Sequence, residues 1–178
     1  SVWFNITASG GNQPGINVDS SVSYSCIGGV SNQAHAQCYA ISIVGESNAA
    51  YASLFSSISG QLNTTKGDKY STISGMDNTA TSTTRCIISG NGNKVTNSDG
   101  SVVSGQQNTV TGNFSMIVAN GAEVSGGDNI IVGEQHTVNG DMNAVFGNSN
   151  TVKGSKNIVS GDCNNATNNN SVVLGTSN

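Results

Sequence analysis

The chain has 178 residues, of which only 9 % are charged, with a net charge of −4, 23 glycines and a single proline. Residues that build amphipathic helices are too scarce for a helical bundle, and six basic against ten acidic residues leave no basic patch for nucleic acid. No apolar run approaches the ~20 residues that span a bilayer, and a start at Ser1 without Met or a signal-like segment points to a processed protein or an excised domain.

Residues 1–20 stand apart from the rest of the chain. Val2, Phe4 and Ile6 alternate with Trp3, Asn5 and Thr7, the pattern of one strand, ahead of a Gly/Asn/Pro turn around Gly10–Gly15. This segment is expected to cap the first coil or to reach a neighbour by strand addition, with Val2, Trp3, Phe4 and Ile6 making the contacts.

Residues 21–178 repeat. Gly45, Gly60, Gly75, Gly90 and Gly105 lie fifteen apart, and the column continues through Ala119, Gly133, Gly147, Gly161 and Gly175 at fourteen. Two residues before each comes Ile or Val, from Ile27 and Ile43 through Ile73, Ile88 and Val103 to Val145, Val159 and Val173. Five residues after it comes a small or β-branched residue, such as Ala80, Val95, Val110 or Val138. Three after it runs an asparagine column, from Asn32 and Asn48 to Asn164 and Asn178, interrupted by Ala122 and His136.

Two apolar columns per period mean two short strands, each sending one side chain inward. Gly and Asn between them tolerate the positive φ of tight corners, and stacked asparagines can bond from coil to coil. The spacing therefore predicts an all-β fold. It is a parallel β-solenoid (β-roll) with two short strands per 14–15-residue turn and about 10–11 turns, a rod roughly 50 Å long at about 4.8 Å per turn.

The segments Asn-Ile-Ile-Val-Gly (129–133), Asn-Ala-Val-Phe-Gly (143–147) and Ser-Val-Val-Leu-Gly (171–175) resemble the head repeats of YadA-like trimeric autotransporter adhesins. The resemblance covers most of the chain from Ser25 onward. It implies a left-handed parallel β-roll, usually trimeric, that adheres to surfaces or matrix.

Residues flanking the inward Ile/Val face outward. In the later turns many are apolar: Met116 and Val118, Ile130 and Val132, Phe146, Ile158, Val172 and Leu174. Such a column reads as a self-association face, unless the N-terminal segment covers it within one molecule. The second strand is flanked by polar residues, with Thr79/Thr81, Thr109/Thr111, Thr137 and Thr151 interrupted by Lys94, Glu123 and Lys153. This Thr-rich face is expected to be solvated. Ice binding through it is the alternative, against which the charges weigh.

The chain ends half a turn after Gly175, which suggests a lost downstream domain or stacking on another subunit, in a trimer or a head-to-tail filament. Cys26 and Cys38 fall in one long turn and could form a disulfide, whereas Cys86 and Cys163 lie too far apart to pair within a molecule. Asn-x-Ser/Thr sequons at Asn5, Asn63, Asn113, Asn165 and Asn169 are candidate N-glycosylation sites, and with the disulfide they favour an extracellular or cell-surface setting.

The ten acidic residues share no column, and no phosphate loop, nucleophile elbow or zinc spacing occurs, so no catalytic residue, metal or cofactor is expected. His136, in an asparagine slot, reads as a structural substitution. The expected function is a non-enzymatic extracellular structural or adhesive protein that self-associates through its apolar strand face and its ends. A surface or glycan ligand is conceivable, and nucleic-acid binding and membrane insertion are not expected. The alternative is an ice-binding or glycan-binding β-solenoid of the phage- or viral-fibre kind.

Overall fold

The computed structural model describes residues 5–7, 15 and 17–178, the first three as backbone only. The described chain is all-β, with no helix, and winds as a parallel β-solenoid of about eleven coils. Each coil gives a five-residue strand to a broad 12-stranded sheet and a two- or three-residue strand to a narrow 11-stranded one. Equivalent positions stack in register: Ile73 pairs with Ile88, and Ile88 with Val103. The strand Asn5–Thr7 joins the edge of the broad sheet, with Ile6 opposite Ile27, and so occupies the place of a first rung. Val2, Trp3 and Phe4 of the expected assembly segment lie outside the described residues, and for Ile6 only the strand position is described.

The core is a thin slab between the sheets. The Ile/Val column of the broad sheet is buried from Ile27 to Val159, facing the small column from Ala34 to Ala166. Both columns are β-branched or small because each layer gets one side chain from each strand and no room for more.

At one edge of the slab the asparagines form a buried ladder. Asn48 donates from its backbone N–H and from Nδ2 to Asn32 Oδ1 at 2.9 and 3.1 Å, and Nδ2 also donates to the Gly60 carbonyl at 2.8 Å. The pattern recurs at Asn63, Asn78, Asn93 and Asn108, so the buried amides and the turn backbone satisfy each other. The glycine column beside it is obligatory. Gly60 has φ +108°, and a Cβ there would lie 2.0 Å from the Gly75 carbonyl oxygen of the next coil.

The opposite edge differs between the two halves. In the 15-residue coils the corner sends a polar residue inward (Ser53, Asp68, Thr83, Ser98, all buried) and adds an isolated bridge, from Tyr39 through Leu54, Lys69 and Thr84 to Asp99. In the 14-residue coils the inward residue is gone and Gly112, Gly126, Gly140 or Gly154 spans the gap, where a Cβ on Gly112 would lie 2.0 Å from the Gly126 oxygen. A second buried asparagine ladder starts there, with Asn143 N–H donating to Asn129 Oδ1 at 2.9 Å and Asn157 N–H to Asn143 Oδ1 at 3.0 Å.

Candidate functional faces

A solenoid offers flat sheet faces, each of which repeats its residues from coil to coil. On the narrow sheet, residues outside the inward column pair across coils as Thr64, Thr79, Lys94, Thr109 and Glu123, and as Lys66, Thr81, Thr96, Thr111 and Ser125. The threonines do form ranks. Lys66, Lys94, Glu123 and Lys153 break them as exposed residues, so charge recurs along the face from the fourth rung onward.

Two of the three outward ranks of the broad sheet flank its inward Ile/Val column. One runs Ser42, Ser57, Thr72, Ile87, Val102, Met116, Ile130, Ala144, Ile158, Val172; the other runs Val44, Ser59, Ser74, Ser89, Ser104, Val118, Val132, Phe146, Ser160, Leu174. None of the residues in these two ranks is charged; the third outward rank, at the last position of each strand, carries the exposed carboxylates of Glu46, Glu134 and Asp162. The apolar residues expected to form an association face, Met116, Val118, Ile130, Val132, Phe146, Ile158, Val172 and Leu174, all lie here and are 38–67 % exposed. The described strand Asn5–Thr7 joins the edge of this sheet rather than crossing its face.

All four cysteines are free thiols, so the expected Cys26–Cys38 bridge is not formed. Cys26 lies on the outer face of its strand, while Cys38 is buried, its thiol donating to the His35 carbonyl at 3.1 Å. Burial raises the Cys38 and Cys86 thiols above the ordinary range. Among the sequons, Asn63 is a ladder residue with no exposed surface, so a glycan cannot project from it in the folded chain. Asn113, Asn165 and Asn169 are exposed, and the side chain of Asn5 lies outside the described residues.

His136 takes over both jobs of an asparagine. Its Nε2–H donates to the Val132 carbonyl at 3.2 Å, and its Nδ1 accepts the Asn150 N–H at 3.2 Å, which sets a neutral tautomer. Burial accordingly lowers its pKa. Among the described residues no three His, Cys, Asp or Glu side chains converge on a point.

The structure thus defines a two-sheet parallel β-roll with one polar, charge-broken face and one face two of whose outward ranks carry no charge. Residues 53–178, well over half of the chain, match the family model of the grass antifreeze β-roll, and the chain belongs to that family. Curated proteins yield no match. The match is to an antifreeze β-roll and not to YadA-like head repeats; what the two have in common is a short strand ending in Gly at the same period. The sequence alone places ice binding on the Thr-rich face of the second strand, with Lys94, Glu123 and Lys153 weighing against it, and assigns the outward ranks of the broad sheet to self-association.

Proposed function

We propose that the protein binds ice through the outer face of the broad sheet, over the coils from Ile87 to Ser160. The observation that carries this is an uncharged double rank repeating with the coils, about 4.8 Å apart, on a member of an antifreeze β-roll family. A charged group holds its water tightly and would lose that hydration against a neutral lattice. Methyl groups and short hydroxyls leave the adjacent water bonded to itself. The ranks Ile87/Ser89, Val102/Ser104, Ile130/Val132 and Ile158/Ser160 offer this combination, and their parallel register holds them in a fixed array.

The narrow sheet, despite its threonines, is the poorer ice face because Lys66, Lys94, Glu123 and Lys153 stand within the two ranks that flank its inward column. The broad sheet's Glu46, Glu134 and Asp162 stand at its strand ends, outside the two ranks proposed to meet ice. The apolar column expected to mediate adhesion serves here as part of the ice face, and neither the fold nor the family favours adhesion over it. The role has no catalytic step, and the protein is placed outside the cell, where it would meet ice. Adsorption of the chain into slowly growing ice is the test. The wild type should be enriched in the ice and Ile130→Lys should be largely excluded; a wild type left in the liquid would overturn the proposal.

A further inference from the structure

Four of the nine aromatic residues form a single ridge beside the first coils of the broad sheet. Tyr24, Tyr39, Phe55 and Tyr70 follow one another with ring centroids 5.2, 5.3 and 5.1 Å apart, and they are 55, 40, 48 and 59 % exposed. The fold does not call for them. Tyr24, Phe55 and Tyr70 sit at left-handed corners with φ of 52–55°, where a bulky side chain is unfavourable; in later coils the same corner is Gly100, Phe114, Asp128, Met142, Lys156 or Asn170, so no run of stacked rings recurs there. The family match begins at residue 53, so Tyr24 and Tyr39 lie outside it.

Between the ridge and the sheet runs an open groove of about 760 Å³, with Tyr24, Phe55 and Tyr70 on one side and the hydroxyls of Ser42, Ser57 and Thr72 on the other. No charged residue lines it. The next corner along the ridge, Arg85, is held by Asp99 through two hydrogen bonds. Among the described residues none engages the phenols of Tyr24, Tyr39 or Tyr70, which leaves them to donate and accept outward.

We infer that this groove binds a neutral polysaccharide lying along the rod. One wall presents aromatic carbon in three of the groove's four coils, from Tyr24, Phe55 and Tyr70, with Ala40 in the other, and the C–H face of a sugar ring is complementary to it. The other presents hydroxyls that match the sugar's own. A chain of repeating sugars suits a site that itself repeats from coil to coil. An anionic glycan or a phosphate-bearing ligand finds no cation in the lining. A protein strand finds no free backbone edge, because the floor is already paired (Ser42 N–H to the Ser56 carbonyl at 3.0 Å, Ser57 N–H to that of Ser71 at 2.9 Å). The inference goes beyond ice binding, since these coils precede Ile87.

Native gel electrophoresis above freezing tests it, using gels containing a β-glucan, a xylan or, as the anionic control, alginate. The wild type should be retarded in at least one neutral gel and not by alginate. Phe55→Asn and Tyr70→Asn should weaken that association roughly tenfold and unfold at the same temperature or higher, because Asn suits a left-handed corner. Absence of retardation in both neutral gels, equal retardation of the variants, or retardation by alginate as strong as by the neutral chains would each overturn the inference. Because ice is absent from this assay, its failure would leave the ice reading standing.

Discussion

The 15-residue coils of the first half and the 14-residue coils of the second share both sheets, the Ile/Val column and the register, yet they differ by one residue at one corner. With that residue, the corner buries Ser53, Asp68, Thr83 or Ser98 and carries the bridge column beside which the aromatic ridge stands. Without it, glycine closes the gap and the second asparagine ladder forms. Corner length therefore decides how polar the interior is and which surface is displayed, while the sheets stay the same.

The largest expected effect comes from importing a buried acid into the tighter half. Val145 has no exposed surface and no polar neighbour comparable with Thr83, so Val145→Asp should lower unfolding free energy by about 4 kcal/mol or more, as read by chemical denaturation. Next is the glycine column that both halves share. Gly60→Ala should lose more than about 2 kcal/mol, since its Cβ meets a backbone oxygen and its φ is positive. Ala119→Gly, at the one position where a Cβ is accommodated, should lose no more than about 1 kcal/mol.

Two titrations sharpen the contrast. Asp68 accepts hydrogen bonds from the Thr83 N–H at 2.9 Å and from its hydroxyl at 2.8 Å, but its second oxygen is buried without a partner, and burial raises its pKa. The folded state then binds the proton more tightly than the unfolded one. Stability from this group is complete below the unfolded value of 3.8 and is lost as pH rises through the raised folded value. Asp68→Asn keeps the acceptor used by Thr83, so it should stabilise the protein by about 1 kcal/mol or more at neutral pH and flatten this part of the pH profile. His136 acts in the opposite direction: its folded pKa is lowered, so its contribution holds above 6.5 and is lost as pH falls through the folded value. His136→Asn should abolish that acid loss with a change of under about 1 kcal/mol at neutral pH, checked by thermal unfolding across pH.

Much of the fold was legible in the sequence, because stacked coils turn every structural demand into a column. The inward Ile/Val positions, the asparagine ladder and the structural role of His136 could all be read from spacing. The second ladder could not, since Asn129, Asn143 and Asn157 hold positions that are Ser, Cys or, at Ile41, Ile in earlier coils. The ridge was hidden too, because Tyr39 stands one residue before the left-handed corner of its coil, Ala40. Composition drew attention to threonine. The absence of charge from two outward ranks of the broad sheet, with its carboxylates confined to the strand ends at Glu46, Glu134 and Asp162, emerges only when those ranks are laid beside the narrow sheet's.

The central claim is that the two uncharged ranks of the broad sheet, not the threonine-rich sheet, meet ice. Val118 and Ser125 are exposed on opposite sheets of a single coil. Thermal hysteresis measured for Val118→Lys and Ser125→Lys at matched concentration tests the claim most directly, with unfolding temperatures confirming that both fold. The account predicts that Val118→Lys loses most of the activity and Ser125→Lys keeps most of it; the reverse order would contradict it.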